Sequence, residues 1–214
     1  MKIKAQCQSG LSIVEVCIVV AAIALLASLF LPSLQGSKCR PSQFRCINNL
    51  KQAALGFLVL ANDGDGQFPW ASTNAGGTRA FAESLQVFRH FLAASNELVT
   101  PKILVCPKDK QRREAWDFSK FSNQNISYFL NIDASTEKPL QFLSGDRNIT
   151  GGTLSNGFLR LLNPADGNAG WTPELHNNSG NIGLADGSVQ QVTPAQLRDE
   201  LEEQHRSVVR LAIP

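Results

Sequence analysis

The chain has 214 residues, of which 43% are hydrophobic, and its formal net charge is +2. This length and composition fit one modest globular domain with an additional element, and they exclude a disordered chain and a bundle of many membrane helices. Lys2 and Lys4 account for the net charge, because 18 basic and 18 acidic side chains remain from Leu11 onward. We therefore expect no nucleic acid partner, since the domain lacks the basic field that attracts one.

The cysteines follow no spacing that is typical of a zinc ribbon. The chain has five of them: Cys7, Cys17, Cys39, Cys46 and Cys106. Neither a CxxC pair nor a Cys/His pattern occurs, so the sequence spacing gives no support to a metal ribbon.

A short polar segment precedes a long apolar run at the N-terminus. Residues 1–10 carry two charges, and from Val16 to Leu31 the chain is apolar apart from Ser28. The 21 residues 11–31 form, at about 1.5 Å per residue, a helix long enough for the roughly 30 Å hydrocarbon core of a bilayer. The run therefore predicts a transmembrane helix.

Glu15 is the anomaly near the start of this apolar run. A charged side chain well inside hydrocarbon costs about 2.5–3.5 kcal/mol on insertion scales, so such a residue usually has a partner or a function.

Residues 9–16, Ser-Gly-Leu-Ser-Ile-Val-Glu-Val, resemble the prepilin signature of type IV pilin-like proteins and type II secretion pseudopilins. The resemblance implies that prepilin peptidase cuts after Gly10 and methylates the new N-terminus at Leu11. It also implies that Glu15 serves filament assembly and that Pro32 kinks the helix. In low dielectric, the amine of Leu11 and Glu15 of a neighbouring subunit would form a pair that offsets much of the burial of both charges.

Three other interpretations of the N-terminus remain open: a general secretory signal peptide, an unprocessed membrane anchor and a buried core helix. A signal peptide prefers a small-x-small cleavage site after its apolar core, and no clean site follows Leu31. The positive-inside rule does not select a cytoplasmic N-terminus. Basic residues beyond the span outnumber the two before it, namely Lys38, Arg40, Arg45 and Lys51.

Residues 35–61 are predicted to continue the helix spine as an amphipathic helix, with a bend at Pro32 and the segment 36–41. Apolar residues recur there at steps of three and four, namely Phe44, Ile47, Leu50, Ala54, Leu55 and Leu58. Residues 62–66, Asn-Asp-Gly-Asp-Gly, end this helix in a structured turn, because the EF-hand pattern of calcium ligands fails at Gln67.

Residues 62–214 are predicted to form an extracytoplasmic α+β globular domain. We expect a helix over 78–95 and short strands at 103–105, 126–130, 142–148 and 158–162. Asp186 and Gly187 predict a type I′ hairpin over 181–192, and Thr193-Pro194 begins a capped helix to about His205. The predicted fold class is α+β, with a long N-terminal transmembrane α-helix spine, residues 11–34, packed on a small antiparallel β-sheet domain.

His176 is followed after nine residues by Asp186 and Gly187. Residues 176–187 resemble the H-x9-DG motif of pilin-like proteins that are abundant in planctomycete and verrucomicrobial lineages. We expect a structural role, in which a hydrogen bond between His176 and Asp186 joins the hairpin to the preceding loop. A divalent metal held by Asp146, His176 and Asp186 is an alternative, by analogy with calcium-stabilised pseudopilins. A catalytic His/Asp dyad is another, but no nucleophile motif accompanies it.

Cys106 has two candidate partners for a disulfide outside the cytoplasm, Cys46 and Cys39. We favour Cys46–Cys106, although Cys39 is an equal candidate on sequence alone. Such a link adds roughly 2–4 kcal/mol to stability.

These observations predict a single-pass protein of a bacterial inner membrane, with its C-terminal domain in the periplasm or at the cell surface. The resemblance implies a subunit of a type II secretion pseudopilus or type IV pilus-like filament, which serves protein secretion without catalytic residues or a cofactor of its own. Its partners would be prepilin peptidase, other pilin or pseudopilin subunits and the inner membrane. The alternative is a membrane-tethered binding or surface protein that uses the prepilin pathway without polymerising.

Overall fold

The structure is a computed structural model that describes residues 13–34, 40–204 and 207–214, with side chains over 13–26, 42–204 and 207–214. The chain divides into two compact units, Met1–Pro41 and Ser42–Pro214. The processing residues Gly10 and Leu11 and the alternative disulfide partner Cys39 lie outside the described residues.

Two long helices occupy the N-terminal part of the chain, α1 over Ile13–Leu34 and α2 over Arg40–Asp63. Glu15 lies in the first turn of α1, and Pro32 falls within the bounds of that helix. Shorter helices follow: α3 (Phe88–Ala93), α4 (Ser95–Leu98) and α5 (Pro194–Gln204).

The prediction of a membrane-spanning spine is wrong for the part of the chain that the structure describes. No helix there combines the length and the apolar character that a bilayer crossing requires. In α2, polar and charged residues interrupt the apolar positions. This finding also corrects the predicted single-pass location in an inner membrane.

The predicted α+β class and antiparallel sheet are confirmed. A seven-stranded sheet has the order β4-β5-β9-β1-β2-β7-β8, and β3 and β6 form a separate pair. All the strand pairs are antiparallel. The strands are β1 (Tyr128–Asn131), β2 (Phe142–Asp146), β3 (Ile149–Thr150), β4 (Thr153–Ser155), β5 (Leu159–Leu162), β6 (Gly170–Trp171), β7 (Gly180–Leu184), β8 (Val189–Val192) and β9 (Val209–Ala212).

The large sheet is covered on both faces. Tyr128 and Leu130 of β1 pack in one hydrophobic cluster with α2, whereas Phe129 packs in another with α5. Neighbouring residues of a strand point to opposite faces, so β1 contributes side chains to two cores. Helix α2 contributes to one of these cores and α5 to the other.

Helix α2 buries only part of the stripe that its sequence predicts, with Leu50 and Ala54 fully buried. Its fully or almost fully buried residues are Cys46, Leu50, Ala53, Ala54, Phe57 and Ala61. Phe44 and Leu55, which the helical spacing placed on the core face, are 66% and 43% exposed. The small residues Ala53 and Ala54 bring the helix backbone close to the sheet, and an added Cβ at Gly183 of β7 would lie 3.7 Å from the Ala54 Cβ.

The hairpin between β7 and β8 exists, but its turn is not the predicted type I′. Such a turn needs positive φ at both central residues, and among the residues of this turn only Gly187 has it, at +84°. The Gly187 amide donates to the Leu184 carbonyl at 3.0 Å, and the Leu184 amide donates to the Ser188 carbonyl at 2.9 Å. The loop is therefore a tight turn followed by a left-handed glycine.

Two further local predictions are corrected. The single helix over 78–95 is replaced by a 3-10 turn (Arg79–Phe81) and by α3, because Asn123 binds the backbone between them. Its Oδ1 accepts from the Phe88 amide at 2.9 Å, and its Nδ2 donates to the Leu85 carbonyl at 2.5 Å. The strand expected at 103–105 is a 3-10 helix (Pro101–Leu104), with Pro101 at its start and Thr100 as its cap.

Candidate buried Cys-His-Asp site

A disulfide joins α2 to the segment after the 3-10 helix Pro101–Leu104. It links Cys46 to Cys106, whose Cα atoms are 5.0 Å apart, and both residues are fully buried. This is the pair that we favoured from the sequence. One helical turn further along α2, the Asn49 side chain donates to the Val105 carbonyl at 3.1 Å, which fixes the same two segments by a second contact.

His176 lies directly beside this disulfide. Its Nε2 is 3.5 Å from the Cys106 Sγ, and its side chain is only 3% exposed. The turn that follows holds the ring in place, because Asn177 and Asn178 have left-handed φ of 52° and 61° and the Ser179 hydroxyl donates to the His176 carbonyl at 2.6 Å. The chain then enters β7 at once.

Asp146, the last residue of β2, contacts the same ring nitrogen of His176. Its Oδ2 lies 3.3 Å from the His176 Nε2. The same oxygen accepts from the Asn181 amide at 2.7 Å and from the Asn181 Nδ2 at 2.9 Å. The neighbouring strands β2 and β7 therefore bring Asp146 and Asn181 together, and the loop before β7 adds His176.

The Asp146 carboxyl is fully buried, and its Oδ1 has no hydrogen-bond partner among the described residues. Burial raises the pKa of Asp146 from 3.8 to about 7, although the two hydrogen bonds from Asn181 act in the opposite direction. Burial also lowers the pKa of His176, and the positive charge of Lys108 adds to this effect. Both groups therefore favour their neutral forms in the folded chain.

A second buried carboxyl, Asp109, has a very different environment. The Arg147 Nε and Nη2 donate to it at 2.7 and 2.9 Å, and the Ser127 hydroxyl donates at 2.9 Å. Burial alone would raise the pKa of Asp109, but these hydrogen bonds and the Arg147 charge bring it below its ordinary value. Arg147 also contacts Glu174 at 3.3 Å, two residues before His176.

The predicted hydrogen bond between His176 and Asp186 is not formed. Asp186 is exposed in the hairpin turn, where its Oδ1 accepts from the Ser188 amide at 2.8 Å. The partner of His176 is Asp146 instead, because Asp146 ends the strand next to β7 and Asp186 lies beyond the far end of β7. Gly187 faces α2, since an added Cβ there would lie 2.9 Å from side-chain atoms of Leu55 and Leu58.

The three weak metal candidates are thus not brought together as one set. Asp146 and His176 meet, whereas Asp186 does not join them. Calcium prefers six to eight oxygen ligands, and the surroundings of His176 offer sulfur, nitrogen and one carboxylate. Among the described residues, the group whose ligand atoms lie within 4.8 Å of one another is Cys46, Cys106 and His176.

Sequence reasoning missed Asn181 and the Asp109–Arg147 pair. Asn181 had one available signal, because it is a polar residue inside an apolar strand pattern and such residues need a buried partner. Asp109 gave no comparable signal, since its partner Arg147 is 38 residues away in sequence.

The chain was also compared with known proteins. No protein-family model, no curated protein and no solved structure matches it.

Proposed function

We propose that this chain is a prepilin-like subunit of a type II secretion pseudopilus or a type IV pilus-like filament. Prepilin peptidase removes residues 1–10, and the mature chain starts at Leu11. The observation that carries the proposal is the segment from Gly10 to Glu15, whose last three residues begin the apolar helix α1. The role is assembly, and the chain performs no chemistry of its own.

The surface of α1 supports this proposal. Large apolar side chains of this helix are exposed in the single chain, among them Ile13 at 80%, Ile18 at 64% and Leu25 at 68%. Contiguous exposed apolar surface of this kind marks an interaction site. In a filament, the α1 helices of neighbouring subunits would cover one another, and the apolar area removed from water would drive the assembly.

Glu15 gives that assembly its register. It lies in the first turn of α1, where the positive end of the helix dipole favours a carboxylate. After cleavage, the positive amine of Leu11 on one subunit pairs with Glu15 of the next. Attraction between these charges is strong at low dielectric, so a subunit that is shifted along its neighbour loses the pair and leaves two buried charges uncompensated.

The second unit fits the role of a rigid body carried by the filament. The Cys46–Cys106 disulfide and the two cores of the sheet fix its shape. Disulfides persist in oxidising environments. The H-x9-DG residues contribute His176 to the buried site and Gly187 to the contact with α2, so their proposed role is structural.

Exchange of Glu15 tests the proposal. Full-length chain is produced with prepilin peptidase, and the mature protein is assayed for filaments by electron microscopy and by crosslinking between subunits. Glu15→Ala should be cleaved at Gly10 yet fail to assemble, whereas the exposed Glu114→Ala, which removes one negative charge elsewhere, should assemble like the parent. A parent that is cleaved but stays monomeric would overturn the filament role and favour a processed, non-polymerising protein.

A further inference from the structure

Cys46, Cys106 and His176 form a compact set of metal-ligand types, and Asp146 lies against the histidine of this set. The two sulfurs and a ring nitrogen of His176 all lie within 4.8 Å of one another. The Asp146 Oδ2 is 3.3 Å from the His176 Nε2. The four residues come from α2, the segment after the 3-10 helix Pro101–Leu104, the end of β2 and the loop before β7, so the fold itself assembles the set.

Two distances at the His176 Nε2 match the edges of a zinc tetrahedron. Bonds of about 2.3 Å to sulfur and about 2.0–2.1 Å to nitrogen and oxygen give sulfur-to-nitrogen edges of about 3.5 Å and nitrogen-to-oxygen edges of about 3.3 Å. The Cys106 Sγ is 3.5 Å from the His176 Nε2, and that nitrogen is 3.3 Å from the Asp146 Oδ2. Of the edges measured here, only the edge between the two sulfurs is much too short, because the sulfurs are bonded to each other.

Asp146 provides an independent indication of a ligand. It is fully buried, and its Oδ1 has no hydrogen-bond partner among the described residues. A buried carboxylate oxygen without a partner is expensive unless a cation or donor satisfies it. The carboxylate lies against His176, so a cation held by the imidazole would be within its reach.

We propose that the reduced form of this chain binds one Zn²⁺ through the sulfurs of Cys46 and Cys106, the Nε2 of His176 and the carboxylate of Asp146. Reduction converts the disulfide to two thiols. A dithiol reductant supplies two electrons and two protons and becomes a disulfide. A phosphine instead supplies the two electrons, takes up the oxygen of a water molecule as phosphine oxide and leaves the two protons of that water on the thiols. The two thiols release their protons when Zn²⁺ binds. Cys46 and Cys106 thus join the same two segments in both states: by a disulfide in the oxidised chain and through the metal in the reduced chain.

The ligand chemistry selects zinc over calcium and magnesium. Two thiolates and an imidazole are typical zinc ligands, whereas calcium and magnesium require mainly oxygen. The two thiolates neutralise the charge of Zn²⁺. The negative charge of Asp146 is then partly balanced by the positive charge of Arg147, which already favours the ionised form of this carboxyl. This inference is independent of the proposed filament role.

The test uses the full chain with Cys7, Cys17 and Cys39 changed to serine, so that Cys46 and Cys106 are the remaining thiols. The protein is refolded with Zn²⁺ either in the reduced state or after oxidation, and bound zinc is counted by mass spectrometry of the metal after removal of free ions. The reduced chain should hold one zinc per chain, and the oxidised chain none. Co²⁺ in place of zinc should give a thiolate-to-metal absorption band in the reduced chain.

Two variants test the remaining ligands. His176→Gln keeps a polar side chain of similar reach and should abolish zinc binding, whereas His205→Gln should bind zinc like the parent. Asp146→Asn should weaken zinc binding by at least the roughly 10- to 100-fold that is typical of residues that only support a metal ligand, because it replaces a charged ligand oxygen with a neutral amide. An unchanged zinc affinity in His176→Gln, or equal zinc content in the reduced and oxidised parent, would overturn the proposal.

A measurement on the parent alone covers the case in which His176→Gln does not fold. Alkylation of Cys46 and Cys106 in the reduced chain should slow when Zn²⁺ is added, since a metal-bound thiolate reacts poorly. The alkylation rate should recover when a chelator removes the metal. Equal alkylation rates with and without Zn²⁺ would contradict the proposed site.

Discussion

Helices α1 and α2 have similar lengths but bury their residues very differently. Helix α1 is almost wholly apolar, yet its side chains over residues 13–26 are exposed in the single chain. Helix α2 is far more polar, and it nevertheless contributes Leu50 and Phe57 to the largest core. In this chain the amphipathic pattern of α2, and not its apolar content, accounts for its packing on the sheet.

Truncation of one large side chain in each helix should show the largest difference between them. Phe57 is fully buried, and its ring contacts Trp70 and Phe91 at centroid distances of 5.2 and 5.3 Å. Phe57→Ala should lower the free energy of unfolding by about 3–5 kcal/mol, because it removes apolar contacts and leaves a cavity. The exposed Ile18→Ala in α1 should change it by less than about 0.5 kcal/mol. Urea unfolding measures both, and equal losses would contradict the distinction between the helices.

Removal of the disulfide tests the covalent attachment of α2. The bridge closes a loop with a sequence separation of 60, and its loss should reduce the free energy of unfolding by about 2–4 kcal/mol. The double variant Cys46→Ala/Cys106→Ala is compared with Cys17→Ala, which removes an exposed free thiol in α1. Unfolding is followed in the presence of a chelator to exclude bound metal. A double variant as stable as the Cys17→Ala chain would show that packing alone holds α2.

The pH dependence of stability tests the carboxyl beside the disulfide. Because burial raises the pKa of Asp146 to about 7, the folded chain keeps a proton that the unfolded chain loses above about pH 4. The contribution of Asp146 to stability is therefore fully present below about pH 4 and declines as the pH rises to about 7. Asp146→Asn removes this decline, so its stability relative to the parent should rise by on the order of 2 kcal/mol between about pH 5 and pH 8.

Asp109→Asn is the matched control, with the opposite sign. The pKa of Asp109 is below its ordinary value because of Arg147 and Ser127, so its stabilising effect is present above the unfolded pKa and lost as the pH falls. The Asp109→Asn variant should be less stable than the parent at neutral pH, and this difference should become smaller in acid. Parallel urea titrations of the two variants against pH would contradict this account if both curves moved in the same direction.

The smallest expected effect concerns the hairpin that packs on α2. Gly187→Ala should lower the free energy of unfolding by about 1–2 kcal/mol, since it strains a left-handed backbone and places a methyl group 2.9 Å from Leu55 and Leu58. Gly66→Ala meets the same backbone strain at φ +75° without any atom within 4 Å, and should lose only about 1 kcal/mol. Thermal unfolding compares the stabilities of the two variants. A larger loss of stability in Gly66→Ala than in Gly187→Ala would contradict the close contact of Gly187 with α2.

The sequence predicted the elements whose signal is local. The helix α5 has its capping box, because the Thr193 amide donates to the Gln196 side chain at 2.9 Å. The hairpin at Asp186–Gly187 and the strand near 142–146 also follow from short patterns. In contrast, the helix expected over 78–95 is divided by hydrogen bonds from Asn123, a residue from a distant segment that no local pattern includes.

The buried site could be predicted only in part, for the same physical reason. Cys46, Cys106, Asp146 and His176 come from four separate segments, and their contacts depend on the strand order of the sheet. The motif spacing suggested Asp186 as the partner of His176. The antiparallel pairing of β2 with β7 places Asp146 there instead. Sequence spacing identifies which residues matter locally, and the register of distant strands decides which of them meet.

Mass spectrometry of the intact chain recovered after production with prepilin peptidase tests the central claim most directly. The proposed subunit should have its N-terminus at Leu11, and a methyl group on that amine would identify the modification as well. The Gly10→Val variant, in which a bulky residue replaces the glycine before the cut, should keep residues 1–10. A parent that begins at Met1, or just beyond Pro32, would contradict the claim that this chain is a prepilin-like subunit.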